Sequence, residues 1–214
     1  MHFTKLSFEE YMTKVAELIG NSLSDPRIVE ATGRFGYDEK RIKEGERIYR
    51  MVQEVNRAQN RAMDQKVKVH EDRRALQASV RKKYMKMLQI ARIAFDKDVI
   101  IRKALQLEGP REVALDAWLN QIALFGNRLL NESVWAGKLK EYGIGKKDLT
   151  ALMSELDKLR GVALACEQSK AESKKETSVK KQQLKELQEW VSDYLKIARI
   201  ALDDHPELYA KLRE

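Results

Sequence analysis

Apolar residues recur along this chain with a helical period. Phe8, Tyr11, Met12, Val15, Leu18 and Ile19 follow the spacing of one helix face. Ser7 precedes them, with Glu10 three residues on, the spacing of a capping box. The pattern predicts a helix from Ser7 to Gly20-Asn21, where the glycine can close it. A second helix is expected after Ser24-Asp25, with Pro26 at its first position and Gly33 as its stop. Asp38 is a suitable cap for a third, much longer segment.

That segment has no Gly or Pro between Gly45 and Gly109, and a matching one has none between Gly161 and Pro206. Leu149, Leu152, Leu156, Leu159, Ala163 and Cys166 keep the 3-4 spacing of a packing seam, and so do Leu184, Leu187, Val191, Tyr194, Ala198 and Ala201. The stretches 66–74 and 168–178 in the middle of each segment are almost entirely polar. Two readings compete. Each segment can be a single very long helix, the pair forming an antiparallel coiled coil. Alternatively, each folds back at its polar middle into a helical hairpin. A coiled coil that set Lys66, His70 and Arg73 opposite Ser173, Thr177 and Lys180 would hold cations in a seam without acids. The hairpin, which leaves those residues in water, is therefore the expectation.

The plan is repeated at an offset of 107 residues. Ile90-Ala91-Arg92-Ile93-Ala94 recurs as Ile197-Ala198-Arg199-Ile200-Ala201, and Asp96, Leu88 and Leu105 recur as Asp203, Leu195 and Leu212. Tyr11, Val15 and Ala16 match Trp118, Ile122 and Ala123. The register is gapless, with about 15 identities. In the second copy Gly109-Pro110 separates the units, a helix is expected over 113–130, and Gly143 to Gly145 precede the long segment. The fold class that follows is all-α: a helical bundle of two tandem repeats, 1–107 and 108–214, sharing one bundle core. Each repeat has short N-terminal helices and a long hairpin.

Phe35-Gly36-Tyr37 ahead of a long helix, the Trp118-Leu119 helix, Tyr142-Gly143, and Trp190 ahead of the recurring pentapeptide resemble a family of bacterial tandem-repeat helical proteins. The resemblance spans nearly the full chain. It implies fold and duplication. That family carries no assigned activity, so it implies no catalytic residues.

Composition narrows the classes further. No stretch approaches the roughly 18 apolar residues of a membrane span, and Glu9 and Glu10 stand where a signal peptide needs its apolar core. The single Cys166 has no partner for a disulfide, which fits a reducing, cytoplasmic setting. Three histidines, none three residues after a Glu, argue against a carboxylate–histidine metal centre, and no cofactor is expected. Phosphate-loop, nucleophile-elbow and zinc-protease strings do not occur. No residue therefore marks a catalytic centre. Cys166, on the apolar seam, reads as a core residue.

Charge is unevenly placed. The net is +8, and all of it falls in residues 1–107. Residues 73–92 hold seven Lys and Arg and no acid. On a helix, Leu76, Val80, Tyr84, Met87, Leu88 and Ala91 share one face. Arg74, Arg81 and Arg92 flank it, and Lys82 and Lys86 lie behind. These five are the candidate polyanion-binding residues. Arg92 and Arg199 each precede an Asp by four positions, so each can form an intrahelical ion pair or cap a neighbouring helix end, the alternative being a symmetric pair of anion-binding arginines. Two functions follow from these observations. The first is a non-catalytic bundle for protein–protein interaction or self-association. The second is nucleic-acid or other polyanion binding through the helix around 73–92.

Overall fold

In the computed structural model, which describes residues 6–212, the chain is all-helical, with no strand among the described residues. The helices are α1 Phe8–Ser24, α2 Pro26–Gly33, α3 Glu39–Ala94, α4 Val99–Ala104, α5 Leu115–Asn131, α6 Ser133–Glu141, α7 Lys146–Ala201 and α8 Pro206–Lys211. Adding 107 to the bounds of α1, α3 and α4 gives those of α5, α7 and α8.

Local signals set most of these ends. Ser7 caps α1 in a full capping box: its hydroxyl accepts from the Glu10 amide, and its own amide donates to the Glu10 carboxylate at 2.8 Å. Asp25 caps α2, with Pro26 in the first turn. The Arg41 amide donates to the Asp38 carboxylate at 2.9 Å, which opens α3. Gly143, at φ 81°, makes the left-handed turn that ends α6. One expected end is displaced. Helix α1 continues through Gly20-Asn21 to Ser24, and the Asn21 side chain donates instead to the Lys211 carbonyl at the end of α8.

The chain divides into two compact units that do not follow the 1–107 and 108–214 halves. Unit 1 comprises residues 1–63 and 172–214, and unit 2 comprises 64–171. Unit 1 thus contains α1, α2, the first part of α3, the last part of α7, and α8. Unit 2 contains α5, α6, the first part of α7, the last part of α3, and α4. Each has its own apolar cluster rather than a share in a single core. In unit 1 the cluster runs from Tyr11, Val15 and Leu18 of α1 through Ile28 and Ile42 to Leu187, Val191 and Tyr194. In unit 2 it joins Trp118, Ile122 and Phe125 of α5 to Val80, Tyr84 and Leu88 of α3 and to Leu149, Leu152 and Leu156 of α7.

The hairpin expectation is overturned. Helices α3 and α7 each run unbroken for 56 residues, through 66–74 and 168–178. Within each unit their segments run antiparallel. Lys180 donates to Asn56 at 2.6 Å, Gln59 to Thr177 at 3.1 Å, and Ser173 approaches the Met63 sulfur at 3.5 Å in unit 1. In unit 2 the Cys166 thiol donates to the Val69 carbonyl. This register differs from the one that counted against a coiled coil: uncharged Asn56, Gln59 and Met63, not Arg73, His70 and Lys66, face Lys180, Thr177 and Ser173. The polar middle packs after all. Ser169 and Ser173 are buried, and the Ser169 and Thr177 hydroxyls donate to carbonyls of their own helix. His70, beside Arg73 and Lys170, is held below its ordinary 6.5 by burial and those cations.

Candidate interface and clefts of unit 2

Unit 2 carries the charge. It holds 21 Lys and Arg against 14 Asp and Glu, a net of +7, whereas unit 1 holds 20 against 19. The asymmetry read along the sequence is an asymmetry between compact units.

The helical wheel places its core face correctly. Val80, Tyr84, Leu88 and Ala91 are fully buried. Arg74, Arg81, Lys82 and Lys86 are exposed and carry no ion pair among the described residues. Arg92 leaves the group. Its Nε donates to the Leu107 carbonyl at 2.6 Å, tying the end of α3 to the chain beyond α4. The ion pair expected between Arg92 and Asp96 does not form, because Arg102 takes Asp96 at 3.1 Å and Glu108 at 2.9 Å. Lys83, whose role the sequence left open, bonds Glu155 of α7, which also accepts from Ser79.

Clefts open in this unit. One, of about 280 Å³, has Met87, Ile90 and Ile144 as its floor, Tyr142 on its edge, and Lys83, Lys86 and Asp148 around it. A second, of about 290 Å³, lies beside Arg81, Met85, Arg111 and Trp118. Arg111 is itself occupied: it donates to the Tyr84 hydroxyl at 2.9 Å and to the Gln106, Glu108 and Gly109 carbonyls. It thereby fixes the turn in which Gln106 adopts φ 50°. Another, of about 670 Å³, lies between Arg73 of α3, the first turns of α5, and Arg160, Ala163 and Leu164 of α7. Sequence reasoning missed it because its residues come from three helices far apart in the chain. The basic helix and the clefts therefore only partly coincide, with Lys86 on the first and Arg81 on the second.

Apolar side chains continue past the basic helix. Ile93 is 64% exposed, Val99 63% and Ile100 80%. Cys166 is fully buried, as its seam position implies. No helix is long and apolar enough to cross a membrane, and no group of three or more potential metal ligands occurs among the described residues. No family model, curated protein or solved structure matches the chain.

Proposed function

We propose that this chain is a cytoplasmic protein-interaction module, built from a duplicated helical unit of the kind the tandem-repeat resemblance implies, and that unit 2 presents its docking face. The observation that carries this reading is the cleft of Met87, Ile90 and Tyr142 with Lys83, Lys86 and Asp148 around it, Lys86 being its unpaired cation, and with exposed Ile93, Val99 and Ile100 further along the chain. Apolar floor with cationic rim is the chemistry that accepts an apolar anchor carried on an acidic protein segment. Phosphate backbones need the cations and have no use for the apolar surface. The recurrence of α1, α3 and α4 at an offset of 107 supports the duplication.

A photo-crosslinking residue at position 142, introduced in the native host, tests the reading. Protein adducts are expected, and Lys86→Glu should abolish them. Nucleic-acid adducts, or protein adducts indifferent to the charge reversal, would contradict it.

Polyanion binding is the second reading, favoured by the unpaired exposure of Arg74, Arg81, Lys82 and Lys86 in the unit with the net positive charge. It predicts salt-dependent retention on duplex DNA or RNA that disappears when those four are reversed.

A further inference from the structure

The cleft of Arg73 and Arg160 in unit 2 has a corresponding place in unit 1. There, Lys180 of α7 is fully occupied: its ammonium donates to Asn56 at 2.6 Å and lies 4.2 Å from the centre of the Phe8 ring. At an offset of 107, Lys180 corresponds to Arg73, Asn56 to Ala163, and Phe8 to Leu115. Unit 2 keeps the cation and replaces both groups that quench it with aliphatic side chains. Arg73 accordingly makes no hydrogen bond or ion pair among the described residues, and its Nε is buried without a partner. The corresponding place in unit 2, between Arg73, Leu115 and Ala163, is an open cleft.

The geometry points to a ligand site in this cleft for a singly charged carboxylate borne on an aliphatic body. Arg73 supplies an unused guanidinium fork, which matches a carboxylate in two parallel bonds. Arg160 adds a second guanidinium from α7, held loosely by Asn120 at 3.3 Å and Asp157 at 3.5 Å. Leu115, Leu119, Ala163 and Leu164 give the aliphatic body its surface, and Leu164 is 62% exposed. A volume of about 670 Å³ lies within the range of small-molecule sites.

Two acids on the lining set the charge of the ligand. Lys170 binds the Glu167 carboxylate at 2.7 Å and holds it below the ordinary carboxylate range, so it stays ionised. Asp116 sits in the first turn of α5. With Lys170 on Glu167 and Asp157 on Arg160, three cations and three carboxylates leave the site without net charge, and it accepts one negative charge more readily than two. The site should therefore prefer a carboxylate to a phosphate monoester of the same chain.

The test is calorimetric titration of the full-length protein with decanoate, decyl phosphate and decanol, each below its aggregation limit. Decanoate is expected to bind at least tenfold more tightly than either of the others. Arg73→Gln should weaken decanoate at least tenfold, and Arg73→Lys should weaken it less. Leu115→Phe with Ala163→Asn, which installs the unit 1 quenching pair, should abolish binding with circular dichroism unchanged. Lys180→Gln should leave decanoate binding as it was. Absence of decanoate binding, equal binding of decanol, tighter binding of decyl phosphate, or indifference to Arg73→Gln would each overturn the assignment.

Discussion

The two units share a helix plan and fill it with different chemistry. At the centre of unit 1, the Tyr194 hydroxyl donates to Ser22 at 2.7 Å, Ser22 donates to the Leu18 carbonyl, and Thr32 bonds the Ile28 and Tyr37 carbonyls, all buried. The positions offset by 107 in unit 2 are Met87, Leu129 and Leu139, all apolar and buried. A second exchange is steric. Trp190 lies so close to Gly45 that a Cβ there would overlap its ring, and Trp190 stacks on Tyr194 with centroids 5.2 Å apart. Unit 2 has Leu152 at the glycine position and Lys83 at the tryptophan position. The difference teaches that each backbone plan accepts either filling, provided the partners change together.

The largest effect expected from breaking this comparison is at the close approach. Gly45→Leu alone should destabilise by about 3 kcal/mol, because a well-packed ring has no room to retreat. Adding Trp190→Lys, which copies the unit 2 pair, should cost less in denaturant unfolding than the two single changes summed. Strict additivity would show that the two positions do not communicate.

The buried hydroxyl network comes next. Tyr194→Phe should cost about 1 kcal/mol by leaving Ser22 without its donor. Burial also raises the Tyr194 and Tyr11 phenols above their ordinary 10.0. Above pH 10 the unfolded chain releases protons that the folded chain retains, so stability should fall as pH rises through that value. The fall should be shallower in Tyr194→Phe, measured by urea midpoints between pH 8 and 11.

The smallest pair of effects uses the two identical arginines. Arg92 is engaged with the Leu107 carbonyl, whereas Arg199 is exposed with no ion pair among the described residues. Arg92→Gln should lower stability by about 1–2 kcal/mol, and Arg199→Gln by less than about 0.5 kcal/mol. Equal shifts in melting temperature would remove the distinction.

Much of this architecture is legible in the sequence because it rests on local chemistry. The Ser7–Glu10 capping box, Pro26, the Asp38 cap and the leucine seam from Leu149 to Leu159 each act within one or two turns. The continuity of α3 and α7 through 66–74 and 168–178 is not legible in the same way. Ser169 and Ser173 look like solvent-facing residues, yet their small volume, with the Ser169 hydroxyl bonded to its own helix and that of Ser173 against the Met63 sulfur, lets them line a seam. The register that faces Lys180 with Asn56 rather than a cation depends on packing elsewhere along the helices. At the candidate interface, charge density marked Arg74, Arg81, Lys82 and Lys86. Only the fold shows that Arg92 is spent on a carbonyl. Likewise, Arg73, ordinary in a basic run, is the cation whose unit 1 counterpart is quenched and which is not.

The claim on which the rest depends is that α3 and α7 are continuous and pair with each other rather than folding back on themselves. Cysteines placed in a Cys166→Ser background at positions 59 and 177, where Gln59 and Thr177 are hydrogen-bonded, test it directly. A fold-back at the polar middle would bring position 59 to the neighbourhood of position 81 instead. Mild oxidation should close the 59–177 bridge within a single chain and leave a 59–81 pair as free thiols. Ready closure of 59–81, with 59–177 remaining reduced, would contradict the account.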